Sequence, residues 1–266
     1  MHKTYDSINV DFDNRGVATV TLCREQKHNA FDDQMIQSLI EIFSEIANSS
    51  AKVMLLAARG KSFSAGADLG WMKRMIEYDY DENLRDARAL AHMMKMLNTM
   101  PMVTIAKVNG GAFGGALGLI CCCDIAVGSE KSMFCLSEVK MGLIPATISP
   151  YVVAAIGQRA ARRYFQTAEF INAQQALRIG LLSELVNSEE LDMAVENLIK
   201  QLLKNGPDAI KAAKQLISDV DQQIISDELI EETSKRIATI RTSDEGQEGL
   251  QAFLEKRAAN WLIAEE

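Results

Sequence analysis

VNGGAFGGALGLICCCDI, residues Val108 to Ile125, reads as an apolar strand that turns through paired glycines into an apolar helix. Glycine is needed where a backbone takes positive φ or comes close to a ligand, and the first turn of a helix leaves amide donors free to face an anion. The turn is therefore a candidate for the electrophilic half of an active site. Paired glycines at a strand end also serve as a plain tight turn, and an apolar helix as plain core, so the flanking sequence has to decide.

Upstream, Ile8, Val10 and Phe12 alternate with polar residues, Asp13 to Gly16 supplies a turn, and Ala18, Val20 and Leu22 alternate again, which predicts a β-hairpin. A polar loop, Arg24 to Asn29, leads to a helix that starts near Asp32 and carries Met35, Leu39, Ile42, Phe43 and Ile46 on one face. Val53 to Ala58 predicts a buried strand. It is followed by the small-residue loop Ser62 to Asp68, by Leu69, Trp71, Met72 and Met75, and by a helix over Glu82 to Leu97 with Leu84, Ala87, Ala91, Met94 and Leu97 inward. Val103 to Val108 is a further buried strand. Downstream, Ile125 to Val127 and Met133 to Cys135 predict short strands, with Ser137 and Glu138 just after the second.

Beyond Ile148 the pattern is mostly helical, with a short strand expected within Leu182 to Val186 and Ser188 expected to cap the helix after it. Asn205-Gly206-Pro207 stops one helix and starts the next. Two apolar-striped helices follow, and Thr242 with Glu245 predicts a capping box for a last one. Alternating strands and helices imply an α/β fold with crossover connections. The one expected boundary lies near Gly206, dividing a core over residues 1–205 from a helical region over 206–266 whose apolar faces suit a neighbouring subunit.

Composition bounds the function. With 266 residues, 48% of them hydrophobic, the chain can bury a large core. A net charge of -8 argues against nucleic acid as a main partner, since phosphate neutralisation wants a basic face. Five cysteines, three of them consecutive at Cys121 to Cys123, form no disulfide framework, and adjacent helical positions diverge by about 100°, which does not suit chelation of one metal. Reduced thiols and the absence of a leader or a membrane-length apolar run predict a soluble, cytoplasmic, unprocessed protein with no membrane partner.

The loops Ser64 to Asp68 and Gly114-Gly115 each follow a buried strand. If those strands are neighbours, backbone N–H groups from both loops converge on one carbonyl oxygen as an oxyanion hole, worth roughly 3 to 4 kcal/mol per donor for a developing enolate. No nucleophile elbow accompanies them, and His2, His28 and His92 are scattered.

The ordered set SFSAGADL (Ser62 to Leu69), NGGAFGG (Asn109 to Gly115), Cys123-Asp124-Ile125, FCLSEV (Phe134 to Val139) and GLIP (Gly142 to Pro145) resembles the crotonase family, the enoyl-CoA hydratases and isomerases. Ala67 and Gly115 are 48 positions apart, and Glu138 lies 23 beyond Gly115. The resemblance covers nearly the whole chain. It implies a crotonase-like (ClpP/crotonase) fold of repeated ββα units, with C-terminal helices that build a homotrimer, often paired into a hexamer. It implies that Ala67 and Gly115 amides hold a thioester oxygen, and that coenzyme A, as part of an acyl-CoA substrate and with no separate cofactor, lies along Lys27, Asn29, Ala30, Ala65, Asp68 and Leu69. Phe253 and Lys256 of an adjoining subunit match positions that touch the nucleotide.

Hydratases of the family carry two glutamates that grip one water. The second matches Glu138, a carboxylate in apolar surroundings where burial raises the pKa and suits proton transfer. The first matches Gly118. A single acid favours an isomerase, which moves one proton. SAGADLGWM, GLICCCDIA and GLIPATISPYVV instead resemble a bacterial branch of methylglutaconyl-CoA hydratases, which points to methyl-branched, carboxylated enoyl-CoAs of leucine breakdown. The bare position at Gly118 is expected to leave room for a substrate carboxylate. The catalytic expectation is therefore Glu138, Ala67 and Gly115, with no metal; an isomerase and a non-catalytic acyl-CoA binder are the alternatives.

Overall fold

The computed structural model describes residues 2–262, so positions 1 and 263–266, the outer ends of the two expected regions, lie outside the described residues. The chain opens with three antiparallel strands, β1 (His2–Tyr5), β2 (Ile8–Phe12) and β3 (Val17–Leu22). The second and third are the expected hairpin; β1, whose pattern is too short to read, adds an outer strand. Helix α1 (Asp33–Ala47) follows, with the Asp32 carboxylate accepting from Met35 N–H at 3.0 Å as its N-cap.

A ββα unit then occurs three times. The first is β4 (Val53–Ala58), β5 (Ser62–Ser64), α2 (Leu69–Glu77) and α3 (Tyr80–Asn98). The second is β6 (Val103–Val108), β7 (Gly111–Phe113) and α4 (Gly115–Cys122). The third is β8 (Ile125–Ser129), β9 (Met133–Cys135) and α5 (Ser149–Thr167), whose helical course breaks at Gly157. In each unit the first strand joins a seven-stranded sheet and the second joins a four-stranded sheet. After them come β10 (Ile171–Asn172), α6 (Ala173–Arg178), β11 (Glu184–Val186) and α7 (Leu191–Leu203). The described chain closes with α8 (Pro207–Val220), α9 (Asp227–Thr242) and α10 (Asp244–Glu255).

The large sheet runs β1-β2-β3-β4-β6-β8-β11 and is parallel from β3 onward; the small one runs β10-β9-β7-β5, with β9, β7 and β5 parallel. The centre of the large sheet is buried on both faces, which is why β4 reads as an unbroken apolar run and β6 as an apolar run interrupted at Thr104 and Lys107. The two-residue period still sorts their side chains. Met54, Leu56, Ala106 and Val108 enter the main core with α1, α3, α4 and α5, whereas Val53, Leu55, Val103 and Ile105 meet Leu191, Val195 and Ile199 of α7.

Three local expectations change. The α3 stripe is fully buried only at Met93, Met94 and Leu97; Leu84, Ala87 and Ala91 are half-buried, since the helix is fully covered only over its last two turns. Ser188 does not cap α7 by its side chain but donates to Glu130 Oε1 at 2.9 Å across a short 3-10 turn. Ser243, not Thr242, caps α10, because the bend between α9 and α10 falls one residue later; Glu245 turns instead to the amides of Asp208 and Ala209 at the start of α8.

Candidate active site

The stretch Val108 to Ile125 divides between the two sheets. Val108 ends β6, and Gly111–Phe113 forms β7 in the small sheet before Gly114 starts α4. The small sheet is therefore what assembles the candidate residues. Its strands β5, β7 and β9 are adjacent and parallel, and Ala67, Gly115 and Glu138 stand three, two and three residues past their respective ends. Residues at the carboxyl ends of neighbouring parallel strands share one rim, which is where open α/β sheets place ligands.

The first two loops touch. A Cβ built on Gly66 would stand 2.5 Å from Phe113 O and 3.8 Å from Gly115 N, so only a glycine lets them close, and Gly66 has the matching φ of +83°. Gly114, at φ 54° and ψ −127°, turns β7 into α4 without a side-chain cap. The Gly115 N–H consequently opens the helix with no partner among the described residues.

Ala67 is freed by a different device. Phe31 and Ala67 form an isolated parallel bridge in which Phe31 N–H donates to Gly66 O at 2.8 Å and Asp68 N–H donates to Phe31 O at 2.9 Å. The Gly66 carbonyl and the Asp68 N–H, on either side of Ala67, are thus committed, and the Ala67 N–H has no partner among the described residues.

Glu138 begins a short 3-10 turn after β9. Gly114 N–H donates to Cys135 O at 2.9 Å and ties this strand end to the glycine turn. A Cβ on Gly114 would lie 3.1 Å from Glu138 Oε1, so the carboxylate lies against the turn. Its Oε2 is buried without a hydrogen-bond partner, and burial pushes its pKa above the usual glutamate range. The arrangement offers two free donors for a developing oxyanion beside one carboxylate poised to exchange a proton.

The expected space at Gly118 does not exist. A Cβ there would stand 2.9 Å from Ile148 Cβ, closer still to its Cγ2, and 3.0 Å from Met94 Cε. Both apolar side chains are buried and fill the volume that a substrate carboxylate was expected to enter. The sequence shows the missing glutamate but not the distant residues that replace it.

The remaining candidates separate by role. Asp68, 4% exposed, accepts from Gly70 and Trp71 N–H as the N-cap of α2 and pairs with Lys27 at 3.0 Å and Arg24 at 3.5 Å. Burial alone would raise its pKa; Lys27, the two amides and Arg24 outweigh that and hold it below the usual range. Asn29 is fully buried at φ 54°, donating to Arg59 O and Ser62 O and accepting from Arg24 N–H, so its side chain shapes the loop and is not free to meet a ligand. Ala30 is buried with its carbonyl accepting from Arg24, and Ala65 N–H is spent on His28 O. Leu69 is 73% exposed beside the donor loop. Phe253, 82% exposed, and Lys256 sit at the end of α10, which packs on α8 and α9; no hydrogen bond or ion pair joins them to the turns among the described residues. Among the described residues no group of three or more His, Cys, Asp or Glu could hold a metal.

Arg24, Phe31 and Ile148 escaped the sequence reading. Each acts through a partner remote in the chain, and no local pattern marks such a pairing.

The sequence pattern described as Enoyl-CoA hydratase/isomerase matches residues 13–263. A crystal structure of an enoyl-CoA hydratase from Shewanella pealeana is 48% identical, with a TM-score of 0.92 over 96% of each chain. One of an enoyl-CoA hydratase from Mycobacterium smegmatis is 29% identical, with a TM-score of 0.91 over 97% of this chain and 99% of that one. The mitochondrial enoyl-CoA hydratase domain-containing protein 3 of Danio rerio is 30% identical over 92% of this chain and 84% of its own length.

Proposed function

Because the chain belongs to the enoyl-CoA hydratase/isomerase family, the crotonases, we propose that it is an enoyl-CoA hydratase whose Ala67 and Gly115 amides hold the thioester oxygen while Glu138 moves the proton. The observation that carries this reading is the convergence at one sheet rim of two unengaged amides and a buried carboxylate oxygen without a partner.

The chemistry balances with one acid. The Glu138 carboxylate takes a proton from water, the water oxygen bonds to C3, and the C2–C3 π electrons move onto the thioester oxygen as an enolate held by the two amides. The enolate collapses, C2 takes the proton back from Glu138, and one water has been added. The two donors act where charge develops, which makes them selective for the transition state.

For the acyl group we propose a methyl-branched enoyl-CoA such as 3-methylglutaconyl-CoA, on the resemblance of the SAGADLGWM, GLICCCDIA and GLIPATISPYVV segments. With the room at Gly118 filled, any substrate carboxylate must be accommodated elsewhere. A proton-shifting isomerase is the second reading, favoured by the apolar contacts of Ile148 and Met94 at the place of the missing glutamate.

The coenzyme A arm is proposed to run along Lys27 to Ala30 and Ala65 to Leu69, with Phe253 and Lys256 supplied by a neighbouring copy. Exposed Ile217, Ile230, Ile237, Leu250 and Leu254 on α8, α9 and α10 support residues 206–266 as the region that joins a trimer or hexamer. Among the described residues no helix is long and apolar enough to cross a membrane. The deciding experiment is mass spectrometry of products from linear, methyl-branched and carboxylated enoyl-CoAs in isotopically labelled water. Gain of one water establishes hydration; solvent-hydrogen exchange with a shifted double bond and no added mass of water establishes isomerisation; no product from any ester removes both.

A further inference from the structure

Phe31 touches both loops of the proposed oxyanion hole. Its backbone forms the bridge that commits Gly66 O and Asp68 N–H and leaves Ala67 N–H free. Its ring lies against the other donor: a Cβ on Gly115 would stand 2.7 Å from Phe31 Cζ, so ring and helix start are in contact with no space between them. The ring is 1% exposed and cannot swing away. Behind it stands Trp71, with ring centroids 6.4 Å apart at 54°, and the Trp71 indole is fixed by an Nε1–H bond of 2.8 Å to Asp86 Oδ2 on α3.

We propose that Phe31 is a positioning residue that sets the spacing of the Ala67 and Gly115 amides, with Trp71 and Asp86 as its backing. The inference rests on the reading of those amides as an oxyanion hole. Two donors act on one oxygen only if their separation matches it, and a displacement of about 1 Å in such a site can cost about 100-fold in rate. The bridge holds one donor by hydrogen bonds and the ring meets the start of the other's helix by contact, so one residue ties the two donors together beside the direct Gly66–Phe113 contact. A shorter side chain keeps the bridge and releases Gly115.

The probe is a 3-aryl-acryloyl-CoA, whose conjugated thioester absorbs at longer wavelength when its carbonyl oxygen is polarised. Wild-type protein should bind it with a red shift; binding without any shift sinks the oxyanion-hole reading itself. Given that shift, Phe31→Leu and the milder Phe31→Met should bind the probe within about threefold of wild type, lose most of the shift, and lower kcat about tenfold or more with little change in KM. Either variant retaining the full shift and kcat overturns the positioning role, and Phe31→Met, whose flexible side chain can fill an irregular gap, remains informative if Phe31→Leu does not fold. A second arm uses the contact directly. Gly115→Ala places a methyl against Cζ and should lower kcat, and adding Phe31→Leu should return part of the loss. If the two fold-changes simply multiply, ring and amide are not coupled and the proposal fails.

Discussion

The buried side chain of Ile148, 1% exposed, occupies the space that any side chain at Gly118 would need: a Cβ there would lie 2.9 Å from the Ile148 Cβ. A glycine in place of a water-binding acid is thus matched by an isoleucine from the far side of the 3-10 turn. Gly118→Glu alone should not create a two-acid site. Overpacking costs ~1–3 kcal/mol, and a carboxylate buried among Ile148 and Met94 adds to that. Thermal unfolding should show a clear loss for Gly118→Glu that is reduced by adding Ile148→Gly. Only the double variant should incorporate labelled water faster than the wild type, and a stable, faster Gly118→Glu single variant would show that the plug yields.

Glu138→Gln should abolish turnover while leaving acyl-CoA binding intact, because an amide can neither take a proton from water nor return it to C2. The same change should not weaken the fold. Burial holds the folded pKa above the ordinary 4.5, so ionising Glu138 costs stability in full at pH values above that raised pKa, and the cost shrinks below it and is gone once pH falls below 4.5. Melting temperatures of Glu138→Gln at pH 7 to 8 should therefore equal or exceed those of wild type, with the gap closing toward pH 4. On the kinetic side the carboxylate is the form that activates water, so kcat/KM of the wild type should fall on the acid side with a midpoint above 4.5. A Glu138→Gln variant with near-wild-type rates rules out the single-acid scheme.

The extent to which this was legible in the sequence follows from how local each feature is. The hairpin, α1 with its Asp32 cap and the buried strands β4 and β6 carry their period within a few residues, and the strand-glycine-helix order of Val108 to Ile125 announces a turn. The loops holding Ala67, Gly115 and Glu138 were readable as motifs. What a linear pattern could not show is that three-residue strands between them build a second sheet, since β5, β7 and β9 are too short to display alternation. Nor could it show that Asn29 is turned inward or that Ile148 closes Gly118, because both depend on partners about 30 residues away.

Asp68 links the donor loop to the loop of Lys27, and its removal should be felt in both. As the N-cap of α2 it contributes ~1 kcal/mol, and its loss leaves the half-buried Arg24 guanidinium paired with Asp32 without the second carboxylate. Asp68→Asn keeps much of the cap and loses the ion pairs; Asp68→Ala loses both. We expect ~1–3 kcal/mol of destabilisation for the alanine variant at neutral pH and a lower kcat, since α2 begins two residues after Ala67. The pH dependence follows from a folded pKa held below 3.8. The stabilisation is complete above that value and is lost as pH falls through the depressed one, so wild type and Asp68→Asn should converge in strong acid. Unfolding curves of the two between pH 7 and pH 2 provide the check, and a gap that widens on acidification contradicts it.

Glu245 joins the last helix to the first of the C-terminal three. Its Oε2 and Oε1 accept from Asp208 N–H at 3.0 Å and Ala209 N–H at 2.8 Å, satisfying amides that Gly206 and Pro207 cannot cap with side chains of their own. Gly206 leaves room for this carboxylate: a Cβ there would lie 2.9 Å from Glu245 Cδ. The helix held in this way carries Lys214, whose ammonium reaches Asp124 Oδ2 at 2.7 Å and Met102 O at 3.1 Å at the edge of the core. Asp124 in turn accepts from Thr104 N–H and Oγ1. A chain of polar contacts therefore runs from α10 through α8 to β6. Glu245→Ala should cost ~1 kcal/mol by the usual worth of a cap and should speed amide exchange first at Asp208 and Ala209, then along α8. Lys214→Met should leave the start of α8 protected and loosen its far contact instead. Exchange that quickened equally throughout the molecule in both variants would mean that the C-terminal helices are not anchored at these two separate points.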